Sequence, residues 1–434
     1  MLKRKVFSEL IKWKNDKHKK CLIVQGPRQV GKTYAIRYFG QREYEEVVEI
    51  NFKETPSASD IFSGDLNVDS MITAFQFRFP EKKFLPGKTL IFLDEIQECP
   101  EAITSLKFWT IDKRFDVVAS GSLLGIDYKR SSSYPVGYVT HLEMYGLDFE
   151  EFLWSQGITE EMINSLRKSF TALTPVNPAV HKTMMEYLRI YLAIGGMPEA
   201  VSQYADTKDY REVYRVQRDL LLGYQYDIAH YASPEEKVKA EKCYLTVAGQ
   251  ILDKENHKFQ YKEVEPGGRA QKYYSSVEWL LKADIVTLCT KVSTVHYDLK
   301  DYAEDNSFRV YTTDLSLLLA MRDFSLKQHI IENDLSGNTK GGLYECLVAD
   351  MLYKRGYKLY YYKNETTRLE LDFIIQKEGK TLPIEVKSGN TKATSLEKFI
   401  NNNQQIEKAY KLHDGNVGIE GKIISLPLYM GMFL

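Results

Sequence analysis

The sequence predicts an α/β fold built on a parallel sheet, and three observations in its first third carry that prediction. Short β-branched apolar runs alternate with helical stretches from residue 20 to about residue 147. One of these runs, residues 21–24, opens into a glycine-rich loop. Another, residues 89–93, ends in two adjacent acids, Asp94 and Glu95. Apolar runs without polar alternation suit strands covered on both faces.

Taken in order, the first twenty residues carry eight Lys/Arg against two acids, with Val6, Phe7, Leu10 and Ile11 at helical spacing. They predict an amphipathic helix whose basic face is either solvated or set against a phosphate backbone. Strands follow at 21–24, 46–52, 89–93, 116–119 and 139–144. Residues 150 to 230 read as helical, broken at Thr174-Pro175-Val176-Asn177-Pro178 and at Gly195-Gly196-Met197-Pro198. The latter block is read as backbone geometry, a turn with positive φ and a fixed proline. Helices near 236–252 and 269–283 precede strand-like runs at 285–288 and 308–311. Arg269 and Lys272 either touch phosphate or cap and solvate their helix. A polar stretch, Ser336-Gly337-Asn338-Thr339, predicts a linker. Beyond it come a helix at 341–355, strands at 359–362, 371–375 and 382–386, and a packed apolar end at 423–434.

Composition narrows the partners. With 58 Lys+Arg and 59 Asp+Glu the net charge is −1, which excludes a global polycation and leaves only local patches for nucleic acid. The chain has no apolar run of membrane-spanning length and no signal-peptide core, so the expectation is a cytoplasmic protein without a membrane partner. Five scattered cysteines, Cys21, Cys99, Cys243, Cys289 and Cys346, argue against a disulfide framework and a zinc site.

Gly26-Pro27-Arg28-Gln29-Val30-Gly31-Lys32-Thr33 fits G-x4-G-K-[ST] at every fixed position, after a strand and before a helix. The glycines let successive N–H groups turn toward a phosphate. Lys32 reaches the β- and γ-phosphates, the Thr33 hydroxyl ligates Mg²⁺, and the helix directs its positive end at the anion. ATP and Mg²⁺ are the cofactors this pattern calls for. Asp94 is expected to hold the metal and Glu95 to polarise the attacking water. The strand-like run at 46–52, between loop and acids in the chain, suggests the ATPase class with an additional strand between those two in the sheet. Ser120 or Ser122 on a neighbouring strand would sense the γ-phosphate, unless both serve only a turn.

Residues 371–387 read as a β-hairpin. With Glu378-Gly379 as the turn, Lys377 pairs with Lys380 and Asp372 lies opposite Glu385. Leu371, Phe373, Ile375, Leu382, Ile384 and Val386 would form one apolar face, and Asp372, Glu385 and Lys387 would converge on the other. Opposed carboxylates need a compensating cation. A divalent metal held by Asp372 and Glu385, with Glu345 as a further ligand or orienting acid and Lys387 activating water, is one solution. A salt-bridged hairpin without metal is the other.

With these blocks in hand, the chain resembles a prokaryotic family of AAA-type ATPases that join a phosphate-loop domain to a largely uncharacterised C-terminal domain. The resemblance rests on the 26–33 loop, Leu93-Asp94-Glu95-Ile96-Gln97, Ser120-Gly121-Ser122, residues 191–200, Asp227-Ile228-Ala229, and the segments at 269–283, 308–318, 341–348 and 370–387. It implies a P-loop AAA-type doubly wound core over 1–150 and a helical lid over 151–232. A winged-helix segment over 233–335 and a restriction-nuclease-like α/β domain over 336–434 complete the expectation. Two departures stand out. Tyr138 lies where relatives usually carry arginine, with Arg28, Arg37 and Arg130 as nearby substitutes, and Glu345-Cys346 replaces the usual Glu-Asn. The reading is an ATP hydrolase coupled to a module acting on DNA or on a protein partner. The alternative is a nucleotide-gated switch with little hydrolysis and an inert nuclease-like domain. A monomer and an oligomer both fit.

Overall fold

The computed structural model describes residues 2–121, 134–252, 258–296, 298–389 and 391–434. Contacts divide the chain into two compact units: Arg4–Tyr145 with Lys282–Asp284, and Met1–Lys3 with Gly146–Leu281 and Ile285–Leu434.

The first unit holds strands β1 (Cys21–Gln25), β2 (Glu46–Asn51), β3 (Thr89–Asp94), β4 (Asp116–Gly121) and β5 (Val139–Glu143). Helices α1 (Val6–Asn15), α2 (Lys32–Glu43), α3 (Val68–Arg78) and α4 (Pro100–Asp112) accompany them. All paired strands run parallel in the order β2-β3-β4-β1-β5. A strand does separate the loop strand β1 from the acidic strand β3, but it is β4. The 46–52 run that suggested this class forms β2, which pairs with β3 alone. Chain order is not sheet order, because the crossover through α4 carries β4 to the inner side of β3.

Both sheet faces are buried. Ile23, Ile50, Ile91 and Val117 join Phe75 of α3 and Trp109 of α4 in one cluster. Leu22, Leu90, Phe92 and Val118, which alternate with them, are equally buried. Each such side chain contributes about 1.5–3 kcal/mol of burial. On α1, Val6, Leu10 and Trp13 are buried and Phe7 packs on Tyr38, whereas Ile11 is exposed. Lys14 pairs with Glu43 at 3.1 Å and Lys19 with Asp116 at 2.8 Å, so part of the basic start is neutralised within the fold.

The second unit carries α5 (Phe149–Ser155), α6 (Glu160–Ala172), α7 (Pro178–Ile194), α8 (Pro198–Thr207), α9 (Tyr210–Tyr231), α10 (Lys237–Leu252) and α11 (Ala270–Lys282). The hairpin β6 (Val286–Val292) and β7 (Ala303–Thr312) follows, then α12 (Leu315–Ala320), α13 (Phe324–Glu332) and α14 (Gly337–Lys354). Strands β8 (Leu359–Asn364), β9 (Leu369–Lys377) and β10 (Lys380–Val386) precede α15 (Thr394–Asn402). The chain closes with β11 (Ala409–His413), β12 (Gly418–Glu420), β13 (Ile423–Pro427) and a buried turn over Leu428–Phe433. The strands form one sheet, β12-β13-β11-β10-β9-β8-β6-β7.

That sheet runs across the expected divisions. The β6–β7 hairpin, expected as part of a separate winged-helix segment, pairs in parallel with β8 and extends the C-terminal sheet. Divisions at 232/233 and 335/336 therefore fall inside one compact unit, and the break expected at 150 lies at 145/146. The polar stretch at 336–339 is no linker: Ser336 is the N-cap position of α14. Small polar residues suit a helix start as well as a loop. The strands β11 and β12 carry no sequence signal that separates them from loop.

Gly195 and Gly196 are explained by a buried polar junction. Asp314 Oδ1 accepts the N–H groups of Gly196 at 2.9 Å and Ser316 at 2.8 Å. Lys354 Nζ donates to Asp314 Oδ2 at 2.6 Å, to the Tyr191 hydroxyl at 3.0 Å and to the Leu147 carbonyl at 3.1 Å, with Asp350 Oδ1 at 2.8 Å. A Cβ on Gly196 would lie 2.1 Å from the Leu147 carbonyl oxygen, so the backbones approach too closely for any side chain. Burial pushes the Asp350 carboxyl up to about 6 although Lys354 pulls it down. Removing Lys354 leaves two buried carboxylates without their cation. Lys354→Ala should therefore destabilise this unit by roughly 3–5 kcal/mol, read as an earlier urea midpoint; an unchanged midpoint would mean the junction carries no stability.

Candidate functional site

The loop after β1 is built by backbone geometry. Gly26, Gln29 and Gly31 all have positive φ, and α2 begins at Lys32. Gly26 admits no side chain, since a Cβ there would lie 2.1 Å from the Met144 carbonyl oxygen. Lys32 Nζ bridges the loop by donating to the carbonyls of Gly26 at 2.8 Å and Pro27 at 2.7 Å. Burial lowers the Lys32 ammonium to about 8, while the charges of Glu95 and Asp284 pull it back up.

At the foot of the loop, Asp94 collects three neighbours. Thr33 Oγ1 donates to its carboxylate at 3.0 and 3.2 Å, Asn51 Nδ2 donates at 3.0 Å, and the Ser120 hydroxyl also bonds to it. Asn51 and Asp94 are register partners at the ends of β2 and β3. Burial raises the Asp94 carboxyl above its ordinary range, while the bonds from Ser120 and Thr33 lower it. Glu95 follows in the left-handed region, and its carboxylate accepts from the Gln97 amide. The fold thus brings Lys32, Thr33, Asp94, Glu95 and Ser120 to one end of the sheet, and the hydroxyl of Ser120 is bonded to the acid. Ser122 and Arg130 lie outside the described residues. Arg37 is engaged by Glu49 at 2.7–2.9 Å. Arg28 lies close enough to Lys32 for its charge to oppose that of the ammonium. Tyr138 accepts from Thr110 through its backbone carbonyl at 2.7 Å, and the Lys107 ammonium lies over its ring at 5.4 Å.

Sequence reasoning assigned no role to Asn51 and Gln97. The available signal for Asn51 was a polar residue ending an apolar strand, as Asp94 does.

In the second unit the acidic hairpin turns at Glu378 and Gly379, both with positive φ, and pairs Lys377 with Lys380, Ile375 with Leu382 and Phe373 with Ile384. Asp372 Oδ2 accepts the Val386 N–H at 2.8 Å, and Lys387 Nζ lies 2.5 Å from Glu385 Oε1. The single apolar face is corrected. The register between β8 and β9 shifts, Tyr360 opposing Ile374 and Tyr362 opposing Leu371, which leaves one extra residue in β9. Leu371 consequently packs with Ile374 and the α15 residues Leu396 and Phe399, while Phe373 meets Tyr311.

Glu345 is held by an arginine. Its Oε2 accepts from Arg309 Nη1 at 3.0 Å, while Arg309 Nη2 donates to Glu370 at 2.6 Å. Arg309 is 2% exposed, and a buried guanidinium requires carboxylate partners. Among the described residues the one trio of metal-capable groups whose ligand atoms lie within 4.8 Å of one another is the exposed His329, Glu332 and Asp334. Burial, then Glu385 and Glu345, push the Asp372 carboxyl well above its usual range. Burial also raises Glu385 against the pull of Lys387. Glu385 Oε2 is buried without a hydrogen-bond partner.

A parallel sheet with a phosphate loop after the inner strand β1, and an acid at the end of β3 with one strand between the two, defines a P-loop nucleotide-binding domain. Residues 18–153 match the family described as AAA domain (AAA_14), so the chain contains an AAA-type P-loop ATPase domain. Residues 185–328 match a Domain of unknown function (DUF8612), and residues 340–429 match a Domain of unknown function (DUF4143). No curated protein sequence matches. The chain is similar to the Walker-type ATPase PabY2304 of Pyrococcus abyssi, at 13% identity and TM-score 0.45 over 74% of this chain and 96% of that one. It is also similar to the Orc1 protein of Aeropyrum pernix in complex with DNA (12%, 0.29, 76% and 91%) and to AMPPCP-bound DnaA from Aquifex aeolicus (13%, 0.29, 64% and 86%). No helix among the described residues is long and apolar enough to cross a membrane, and the five cysteines are free and buried.

The lowered Lys32 ammonium has a consequence for binding. Protonated Lys32 would attract a triphosphate at the loop, and that attraction would be present below about pH 8 and lost as pH rises through it. ATP affinity measured by titration calorimetry should fall between pH 7 and pH 9. A flat profile would mean that the ammonium stays charged throughout.

Proposed function

We propose that the chain is a magnesium-dependent ATP hydrolase whose nucleotide state controls a C-terminal module acting on DNA. The observation that carries the first part is the Asp94 carboxylate, joined to Thr33, Asn51 and Ser120 beside Lys32 and Glu95. Thr33 and Asp94 offer hard oxygen donors and would hold the magnesium, which supplies charge neutralisation at the phosphate oxygens. Lys32 leaves the Gly26 and Pro27 carbonyls for the β- and γ-phosphates. Asn51 and Ser120 fix the Asp94 carboxylate in one orientation. Glu95, released from Gln97, orients and polarises the water that attacks the γ-phosphate. Glu95→Gln should lower phosphate release about 100-fold or more while leaving ATP binding intact, and Lys32→Ala should weaken binding itself. Turnover unchanged in both variants would remove this reading.

The C-terminal part rests on Glu385 Oε2, a buried oxygen without a partner next to Asp372. Asp372 and Glu385 would hold a divalent cation, which supplies Lewis acidity at a phosphodiester, while Lys387 carries the positive charge beside them. The ion pair between Lys387 and Glu385 equally supports an inert, salt-bridged hairpin. Manganese titration followed by electron paramagnetic resonance, alongside plasmid cleavage, separates the two. The nuclease reading expects bound manganese and nicking, both lost in Glu385→Gln. Absence of either from the unmodified protein favours the inert hairpin and the reading of the chain as a switch.

A further inference from the structure

We infer that Arg4, fourteen residues before the matched AAA domain begins, is a positioning residue of the phosphate loop. Arg4 is 8% exposed, a burial unusual for an arginine in a lysine-rich start. Its Nη1 donates to the Val30 carbonyl at 3.0 Å, inside the loop, and its Nη2 donates to the Tyr145 carbonyl at 2.6 Å. The second anchor is itself tied to the loop's beginning. Met144, next to Tyr145, donates its N–H to Gln25 at 2.8 Å and packs its carbonyl against the Cα of Gly26. One guanidinium therefore straps the late part of the loop to the segment that braces its first glycine.

The consequence follows from peptide geometry. The Val30 carbonyl and the Gly31 N–H belong to one planar trans peptide and point in opposite directions. Holding that carbonyl on Arg4 turns the Gly31 N–H to the side away from Arg4. Gly31 itself sits at φ 91°, and without a Cβ it is conformationally permissive, so an external hold on its peptide plane matters. Arg4 thus pre-sets one of the N–H donors of the phosphate cradle before nucleotide arrives, and the ordering cost is met in folding rather than in binding. A lysine has its donors on one atom and lacks the planar fork that holds the two carbonyls at a fixed spacing.

This inference rests on triphosphate binding at residues 26–33. The test compares the unmodified chain with Arg4→Met and Arg4→Lys, using fluorescent ATP and ADP analogues with magnesium, steady-state phosphate release and thermal melting. Main-chain N–H groups of such a loop serve the phosphates that ATP and ADP share. Arg4→Met should therefore weaken both nucleotides in parallel, by about tenfold, as loss of a charged hydrogen bond implies. KM should rise with kcat within about twofold, and Arg4→Lys should fall between the two. Unchanged affinity, a loss confined to kcat, or an affinity loss that tracks a falling melting temperature equally in both variants overturns the inference. Should Arg4→Met fail to fold, Arg4→Lys decides alone, and native affinity in it overturns the proposal. If the unmodified chain binds neither analogue, the phosphate-loop reading fails and takes this inference with it; if it binds both and the variants match it, only the role of Arg4 fails.

Discussion

The carboxylate of Asp94 is the point on which the nucleotide end of the first unit depends. It ends the most buried strand of the sheet, and it is bonded to side chains from β2, β4 and the first turn of α2. A charge in that place would be costly without donors, and its pKa is raised even with them. Three donors on one acid tie the ends of adjacent strands to the loop. They make the loop's position a property of the whole sheet rather than of eight residues.

The second unit is organised around buried charge of another kind. Lys354 with Asp314 and Asp350, and Arg309 with Glu345 and Glu370, place cations where apolar residues would pack at least as well. Such clusters are weak contributors to stability and strong contributors to register, because any other arrangement strands a charge. Their members come from segments far apart in the chain: Tyr191 and Gly196, Asp314 and Lys354 in one, Arg309, Glu345 and Glu370 in the other. One sheet runs through what the resemblance divides into a winged-helix segment and a nuclease-like domain.

Legibility in the sequence tracked the range of the interaction. The phosphate loop, the acids after β3 and the turn at Glu378-Gly379 are local patterns, and the structure holds each as a contiguous piece. The Gly195-Gly196 block was legible as backbone geometry, though not its partner, the Leu147 carbonyl. Period-2 counting along β9 failed at one point, because a single extra residue opposite Tyr360–Tyr362 turned Leu371 to the side of Ile374. Nothing in the local pattern marks that shift, since every residue concerned is apolar or acidic in either register. Glu345 was read as a further ligand or an orienting acid; that it also bonds Arg309, 36 residues earlier, has no local sign.

What the sequence determined by itself is whatever short-range stereochemistry dictates: that the apolar runs of the first unit become strands, where a glycine must stand, and that a lysine and a threonine open α2. The tertiary structure alone decided which strand is inserted between β1 and β3 and which amide meets Asp94. It also decided that Arg309 claims Glu345 and that Arg4 reaches Val30. Those choices follow from desolvation. A buried charge or carbonyl takes the donor that the packed chain delivers to it, and only the assembled fold determines which residue that is.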